Sequence, residues 1–319
     1  MKRLSALLLC LAACSDSSGT TNPGPTDGGS DADAPPTQPH VKTIFLILME
    51  NHNWSDIKGS GSAPYINNTL LPMAAHAESY FDNPKKLHPS EPNYVWLEAA
   101  DNLAITIDAD PSANHLVVGK DHVTKQLKAA GVSWHAYEEG STAGQCPITS
   151  TGNYAPKHLG ALFFDDVVGN PPAVDAPECV SNVFPYTQLT ADLAQDKVAR
   201  YNFITPNLCN DMHGAGGCPA DTIKTGDTWL STAVPAIMAS KAYTDGGAIF
   251  ITWDESEGGE FPIGMIVVSP LGKGAGYSNK MSYFHSSMVR TVETVFGIKT
   301  FLNDAANQAD LSDLFTNGL

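Results

Sequence analysis

The stretch Val41-Lys42-Thr43-Ile44-Phe45-Leu46-Ile47-Leu48 decides the fold, because it is a mostly apolar run that is followed, after Met49, by a carboxylate at Glu50. A run of this length, rich in Ile, Leu and Phe, is typical of a strand buried in a parallel sheet. Three more runs have the same character: Tyr201–Thr205, Ala248–Trp253 and Met265–Ser269. Together they predict a mostly parallel central sheet.

Segments with a helical pattern lie between these runs. They are Asn68 to Glu78, Val123 to Ala130, Thr187 to Lys197, Asp227 to Ser240 and Ser286 to Phe296. Strands that alternate with helices are characteristic of an α/β domain with helices on both faces of the sheet. Residues 41–319 have a suitable length for one such domain.

Polar side chains follow three of the predicted strands. Glu50 and Asn51 come after the first, Asn210-Asp211-Met212-His213 comes shortly after the second, and Asp254 and Glu255 come after the third. In open parallel sheets the ligand crevice lies beyond the carboxyl ends of the strands. We therefore expect these side chains to share one site, although each group taken alone would also suit a solvated turn.

The segment Ser90-Glu91-Pro92-Asn93-Tyr94 places a hydroxyl at the start of a predicted helix. Proline fits the first turn, and the helix can continue to Ala100. Free N–H groups and the helix dipole favour an anion at this end, and Asn93, one turn on, could donate to a phosphate oxygen. The alternative is that Ser90 only caps the helix.

The strand ends also supply hard oxygen ligands of the kind that Ca, Mg, Mn or Fe needs: Glu50, Asn51, Asp254 and Glu255. A divalent metal beside Ser90 would activate its hydroxyl and hold a phosphate oxygen. His213 and His285 are candidates to contact the phosphate or protonate a leaving oxygen. A core or surface histidine is the alternative for each of them.

The N-terminus predicts export. Met1-Lys2-Arg3 is basic, and the apolar core that follows is too short to span a bilayer. Leu11-Ala12-Ala13-Cys14 is similar to a bacterial lipobox, so residues 1–13 are predicted to be a signal peptide and Cys14 to carry a lipid that anchors the protein in the cell envelope, with the outer membrane or cell surface favoured. An ordinary secretory signal is the alternative. Residues 14–40 are rich in Ser, Thr, Gly, Pro and Asp and predict a disordered tether.

Charge and cysteine content narrow the function classes. The formal net charge is −16 at pH 7, which argues against nucleic acid as a partner.

Four cysteines remain in the exported domain: Cys146, Cys179, Cys209 and Cys218. They suggest two disulfides, with three pairings possible. We favour Cys146–Cys179 and Cys209–Cys218, because the second pair closes a short loop. A zinc site is less favoured, since no C-x-x-C spacing occurs.

Over nearly all of residues 41–300 the chain resembles the bacterial and fungal phosphoesterase family, which contains secreted acid phosphatases and phosphatidylcholine-type phospholipases C. The resemblance is carried in family order by Met49-Glu50-Asn51-His52, His88-Pro89-Ser90-Glu91-Pro92-Asn93-Tyr94, Gly131 to Glu139, Lys157-His158, Phe203 to Asn207, Asn210 to His213, Gly226 to Leu230, Trp253-Asp254-Glu255, and Phe284 to Glu293.

This resemblance implies an alkaline-phosphatase-like α/β fold and a phosphate ester as the small-molecule substrate. It implies that Ser90 is the nucleophile, that Glu50, Asn51, Asp254 and Glu255 are metal ligands, and that Asp211, His213 and His285 line the phosphate pocket. His158 and Tyr137 are placed near the site. The chain lacks the C-terminal β domains usual in the phospholipase C branch, so an acid-phosphatase-like phosphomonoesterase is favoured. Phospholipase C and a non-catalytic surface lipoprotein are the alternatives.

Overall fold

The computed structural model of the protein describes residues 40–319. The predicted signal peptide, the predicted lipidation of Cys14 and the predicted tether up to residue 39 lie outside the described residues. The boundary at residue 41 stays a prediction.

One eight-stranded sheet organises these residues, in the order β4-β3-β5-β1-β6-β7-β2-β8. All neighbouring strands are parallel except β7, which is antiparallel to both β6 and β2. The strands are β1 (Thr43–Met49), β2 (Ala75–Phe81), β3 (Trp134–Glu138), β4 (Val183–Pro185), β5 (Tyr201–Thr205), β6 (Gly247–Trp253), β7 (Met265–Val268) and β8 (Ser278–Phe284).

Helices flank the sheet in two sets: α3 packs against α4 and α10, and α8 packs against α7 and α9. The α-helices are α1 (Trp54–Ile57), α2 (Leu71–Met73), α3 (Ser90–Ala99), α4 (Val123–Ala129), α5 (Asp165–Val168), α6 (Pro177–Asn182), α7 (Thr187–Gln195), α8 (Thr222–Met238), α9 (Lys241–Thr244) and α10 (His285–Val295). Single turns of other helix types are Ile66–Leu70, Pro156–His158, Gly160–Phe163, Asn303–Asn307 and Ser312–Leu314. The predicted α/β class is confirmed.

The four apolar runs all form strands, within two residues of the predicted ends. β1 lies between β5 and β6 and is buried along its whole length, which is why its sequence shows no alternation of polar and apolar residues. The predicted helices from Val123, Thr187, Asp227 and Ser286 are also present, although α8 begins earlier, at Thr222.

The predicted helix from Asn68 to Glu78 is wrong in its second half. Helical structure ends at Met73, and Ala75–Phe81 forms β2 between β7 and β8. Alanine, histidine and glutamate favour a helix here or tolerate it, but pairing with two neighbouring strands outweighs that local preference.

Both predicted disulfides are confirmed, Cys146–Cys179 and Cys209–Cys218. Disulfides persist in oxidising compartments, so they support export. Within residues 40–319, none of the helices combines the length and the apolar character that crossing a bilayer requires.

Candidate active site

Backbone hydrogen bonds bring together three acidic residues that follow strands, Glu50, Asp211 and Asp254. Glu50 follows β1 directly, and Asp254 follows its parallel neighbour β6. The Glu50 N–H donates to the carbonyl of Asp211 at 2.7 Å, and the Asp254 N–H donates to the carbonyl of Met49 at 2.9 Å. All three acidic side chains are buried. They therefore lie side by side at the carboxyl edge of the sheet.

Two residues beside these acids have a left-handed backbone. Asn51 has φ 32°, and its N–H donates to Asp254 Oδ1 at 2.9 Å. Met212 has φ 82°, a conformation that residues other than glycine rarely adopt. Its side chain packs on Gly226 of α8, where a Cβ would lie 2.4 Å from Met212 Cγ. This close packing holds the loop that carries Asp211 in a strained conformation.

The first turns of α3 face Glu50. Ser90 is the first residue of the helix, and its hydroxyl donates to Glu50 Oε2 at 3.1 Å. The Tyr94 hydroxyl donates to Glu50 Oε1 at 2.5 Å. Pro89 occupies the N-cap position of this helix. The hydroxyl of Ser90 is thus directed into the acidic cluster rather than used as a helix cap.

Asn93 fixes the rim of the cluster. Its amide donates to Glu255 Oε2 at 3.0 Å and to the carbonyl of Leu87 at 2.7 Å. An amide group has two N–H donors, so both are engaged. Donation from Asn93 to a phosphate oxygen, as expected from the sequence, would require one of these bonds to break. In the structure Asn93 positions Glu255.

Burial and mutual repulsion raise the pKa values of the acids. Burial, followed by the charge of Asp211, raises the pKa of Glu50, and burial with the charge of Glu50 raises the pKa of Asp254. Burial raises the pKa of Asp211 despite the hydrogen bond from the His213 N–H. Burial and the charge of Asp254 raise the pKa of Glu255 to about 10. Four adjacent carboxylates are ionised together only at high cost unless a cation neutralises them.

Several buried polar atoms of this cluster lack a hydrogen-bond partner among the described residues: Asn51 Oδ1, Asn93 Oδ1, His158 Nε2, Asp211 Oδ2 and Asp254 Oδ2. An unpaired buried polar atom is costly, and so it points to a partner that the described residues do not supply. Four of the five are oxygens, the ligand type that hard divalent cations prefer. The chemistry of these atoms therefore suits a divalent metal ion.

His158 and His213 lie beside the acids. The buried His158 ring places Nε2 3.4 Å from Glu50 Oε1 and Nδ1 3.6 Å from Asp211 Oδ2, and it stacks on Tyr94 with centroids 4.9 Å apart. Burial, followed by the charge of Lys157, lowers the pKa of His158, which favours the neutral ring. His213 is exposed, and its ring centroid lies 6.3 Å from that of His158. The structure thus places both histidines at the acidic cluster.

His285 also contacts the cluster, but through the main chain. Its Nε2 lies 2.5 Å from the carbonyl oxygen of Asp254, and its Nδ1 lies 3.2 Å from the Tyr80 hydroxyl. Burial lowers the pKa of His285 to about 4, so the ring is neutral, with Nε2 donating and Nδ1 accepting. Both ring nitrogens are engaged, so His285 holds Asp254 in place.

Tyr137 lies elsewhere. Its hydroxyl donates to Asp192 of α7 at 2.9 Å and lies 3.1 Å from His135 Nδ1. The structure does not bring Tyr137 together with Ser90 and the strand-end acids, although its neighbour on β3, Glu138, contacts Thr205 at the end of β5.

Sequence reasoning assigned no role to three other residues of the site. They are Tyr94, His88, whose Nδ1 lies 2.9 Å from Glu255 Oε1, and Lys157, which forms an ion pair with Asp108. The charge of Lys157 opposes the effect of burial on the pKa of Glu50 and Glu255. The available signal was position: His88 and Tyr94 flank Ser90 in one short segment, and Lys157 precedes His158.

Fold and site together define an α/β domain with a buried acidic site at the carboxyl edge of a mostly parallel sheet, and the comparisons agree with this. The model of the Phosphoesterase family matches residues 74–299, which is more than half of the chain, so the chain belongs to the phosphoesterase family. The protein is accordingly an enzyme that hydrolyses phosphoric esters.

Two curated proteins illustrate the relationship. A phosphatidylinositol-3-phosphatase from Mycobacterium tuberculosis is 28% identical over 289 residues, which are 90% of this chain and 86% of that protein. A probable acid phosphatase from Kluyveromyces lactis is 26% identical over 223 residues, which are 68% of this chain. The match spans about half of the yeast protein, 48% of its length.

Solved structures with similar folds have much lower identity. A protein of the alkaline phosphatase superfamily from Vibrio parahaemolyticus aligns with a TM-score of 0.56 and 10% identity, covering 86% of this chain and 72% of that chain. Phosphonate monoester hydrolase of Agrobacterium radiobacter aligns with a TM-score of 0.55 and 11% identity, covering 87% and 78%. These similarities show that the fold is alkaline-phosphatase-like.

Proposed function

We propose that this phosphoesterase is a metal-dependent phosphomonoesterase in which Ser90 is the nucleophile. The observation that carries the proposal is the position of the Ser90 hydroxyl, 3.1 Å from a buried carboxylate at the N-terminus of a ten-residue helix. Helix N-terminal N–H groups favour a bound phosphate, and a neighbouring base activates a hydroxyl. The names of the relatives, which include acid phosphatases and a phosphatidylinositol-3-phosphatase, support a monoester substrate.

In the proposed reaction Ser90 Oγ attacks phosphorus in line with the leaving oxygen. The Oγ–P bond forms as the bond from phosphorus to the leaving oxygen breaks, and the hydroxyl proton passes to Glu50 Oε2, which it already contacts. Water then attacks phosphorus and gives a proton to the group that protonated the leaving oxygen. The Oγ–P bond breaks as Ser90 Oγ takes back the proton held by Glu50, so inorganic phosphate and free serine are released.

The leaving oxygen needs a proton, and His213 is our candidate to supply it. Its ring is exposed at the edge of the cluster, whereas both nitrogens of His285 are engaged by Tyr80 and Asp254. Nε2 of His158, which lacks a hydrogen-bond partner among the described residues, is positioned to donate to a phosphate oxygen. His285 then acts indirectly, by orienting Asp254.

Glu50, Asn51, Asp254 and Glu255 are the proposed ligands of the divalent cation. When bound, the cation would lower the pKa of the attacking hydroxyl and neutralise charge on the phosphate oxygens. Asn51 Oδ1 and Asp254 Oδ2 are the buried oxygens that it would satisfy. Asp211 Oδ2 lies beside them, and this carboxylate remains a proposed substrate-pocket residue.

We further propose that the mature protein is held at the cell envelope by a lipid on Cys14. The lipobox-like sequence supports this, and the disulfides agree with an exported domain. Metabolic labelling with a palmitate analogue tests it: the wild-type protein should be labelled and Cys14→Ala should not. Label in Cys14→Ala would contradict the anchor.

A substrate panel on metal-stripped and reconstituted protein tests the proposed activity. We expect hydrolysis of phosphate monoesters, with activity lost to EDTA and restored by one divalent ion. Faster release of a phosphorylated head group from phosphatidylcholine vesicles would instead establish a phospholipase C. Retention of full activity after complete metal removal would exclude the metal-dependent mechanism.

A matched pair of variants locates the functional metal. His52, Asp56 and Glu257 form a separate group whose ligand atoms lie within 4.8 Å of one another. We expect Asp254→Asn to abolish metal activation and His52→Ala to preserve it. The reverse result would move the functional metal to this second group.

A further inference from the structure

A cavity next to the acidic cluster has no role in the reaction described above. It has a volume of about 640 Å³, within the usual range for small-molecule sites. Tyr186 and Trp229 form an aromatic wall, and the charged and amide groups of the lining are Glu139, Asn210, Asp221 and Lys224. Threonines of α8 complete one side.

The cavity and the acidic cluster share the segment that follows β5. Asn210 lines the cavity, and the next residue, Asp211, belongs to the cluster. Glu139 fixes this shared wall: its Oε1 and Oε2 accept from the Asn210 amide at 3.0 and 2.9 Å.

The order of strands in the sheet gives the approximate distance between the cavity and the acidic cluster. Glu139 follows β3, while Glu50 follows β1, and β5 lies between these strands. Neighbouring strands are about 4.8 Å apart, so two spacings amount to about 10 Å. This spacing sets the scale over which a substrate with its phosphate at Ser90 would have to extend to reach the cavity.

The chemistry of the lining restricts the occupant. The rings of Tyr186 and Trp229 are tilted by 41° with centroids 5.1 Å apart, so they contact each other and present one apolar face. Sandwiching a flat base would need a gap of about 7 Å between parallel rings, twice a normal contact distance. An alkyl chain would remove water from Glu139, Asn210 and Lys224 without replacing the lost hydrogen bonds.

Lys224 provides donors that have no hydrogen-bond acceptor among the described residues. Its ammonium group makes no hydrogen bond or ion pair there, although its charge acts on Asp221, which also lines the cavity and accepts a hydrogen bond from the Lys224 backbone N–H. A ring with an apolar face and peripheral hydroxyls would stack on Trp229 and exchange hydrogen bonds with Lys224 and Glu139. We infer that this cavity binds the leaving group of a cyclic polyol monophosphate, such as a sugar or cyclitol phosphate.

This inference rests on the proposed phosphomonoesterase activity, and steady-state kinetics with three monoesters test it. Inositol 1-phosphate has both a ring and hydroxyls, phenyl phosphate has a ring alone, and glycerol 2-phosphate has hydroxyls alone. We expect Trp229→Ala to lower kcat/KM about 10-fold for inositol 1-phosphate, mainly through KM, and less than about 2-fold for glycerol 2-phosphate.

Lys224→Met is a second variant, which changes an exposed side chain and spares the fold. It should lower kcat/KM about 5-fold for inositol 1-phosphate and leave phenyl phosphate unchanged. Lys241→Met, an exposed lysine on α9 outside the cavity, is the matched control and should behave as wild type. Free inositol should inhibit the wild-type enzyme competitively and Lys224→Met more weakly.

The outcomes separate this inference from the proposed function. Hydrolysis of none of the three esters by reconstituted wild-type protein would overturn the phosphomonoesterase itself. Normal hydrolysis with equal effects of Lys224→Met on all three, or with no effect on any, would overturn the polyol subsite alone. A loss confined to phenyl phosphate would show that the cavity takes a flat ring without hydroxyls.

Discussion

The two ends of helix α3 offer a comparison between buried polar clusters of opposite character. At its N-terminus Ser90 and Tyr94 face Glu50 within a group of acids, and several polar atoms there lack partners among the described residues. At its C-terminus Glu98 Oε1 accepts from His122 Nδ1 at 2.7 Å, from the Thr124 N–H at 2.9 Å and from the Thr124 hydroxyl at 2.6 Å.

The C-terminal cluster is complete without a ligand. His122 Nε2 lies 2.9 Å from Asp166 Oδ1, and the imidazole ring stacks on Phe164 with centroids 4.0 Å apart. Burial lowers the pKa of His122, but hydrogen bonds to Asp166 and Glu98 outweigh it and raise the pKa to about 9. A cation is thus built into this cluster, whereas the acids at the other end still need one. The difference distinguishes a cluster that stabilises the fold from one that binds.

The largest expected effect is on turnover. Ser90→Ala should lower kcat about 10⁴-fold, because it removes the attacking atom, while the melting temperature changes by less than about 2 °C. Hydrolysis of phenyl phosphate and thermal melting measure the two quantities. The matched control is Thr124→Val, which removes a hydroxyl at the other end of α3 and should retain wild-type kcat. Wild-type turnover in Ser90→Ala would remove the nucleophile from the mechanism.

The next prediction concerns stability, and here the cluster at the C-terminus of α3 should be more sensitive to substitution than the acidic cluster at its N-terminus. Glu98→Gln should lower the free energy of unfolding by about 2 kcal/mol, because it removes a negative charge that balances a buried imidazolium. In metal-free protein the equivalent change at the acidic cluster, Asp254→Asn, should not lower stability, since it removes a repelling charge. Urea titration in EDTA measures both. If Asp254→Asn were the more destabilising variant, the contrast between the two clusters would be wrong.

The smallest expected effect concerns pH. The acids have raised pKa values in the folded state, so their protons stabilise metal-free protein at low pH, and this stability is lost as pH rises from about 4 toward the value of about 10 for Glu255. A divalent ion replaces those protons, so the stability gained on adding metal should increase between pH 5 and pH 8.

The cluster around His122 should also make stability depend on pH, but this dependence should not change when metal is added. The pKa of His122 is raised in the folded state. Its contribution to the free energy of unfolding is therefore complete below about pH 6.5 and is lost as pH rises through about 9. The shift corresponds to about 2 kcal/mol after allowance for the exposure of Asp166. Urea titrations from pH 5 to pH 9 should show that Glu98→Gln reduces this loss of stability. The same variant should leave the stability gained on adding metal unchanged.

If the stability gained on adding metal did not change with pH, the acids would be ionised even without a cation.

Much of this architecture could be predicted from local sequence. The strands β1, β5, β6 and β7 were evident as apolar runs because both of their faces are buried. The edge strands β4 and β8 lack such runs, and β2 has the composition of a helix, so pairing partners distant in sequence decide these three.

Part of the site could also be predicted from the sequence, namely the acids but not the roles of the histidines. Acids that directly follow parallel strands must meet at one edge, which made Glu50 and Asp254 recognisable. The roles of histidines were not recognisable in this way, because they depend on what each ring nitrogen contacts. His285 is engaged on both sides and His158 lies between two acids, and neither fact has a local signal.

The sequence by itself determined the α/β class, the edge of the sheet where the site lies and the helix that presents Ser90, since these follow from periodicity and chain direction. The tertiary structure decided that the Ser90 hydroxyl meets Glu50, that Tyr137 points away and that one end of α3 is electrostatically complete while the other is not. The physical reason is that hydrogen-bond satisfaction and burial belong to groups of residues far apart in the chain, which only the folded arrangement brings into contact.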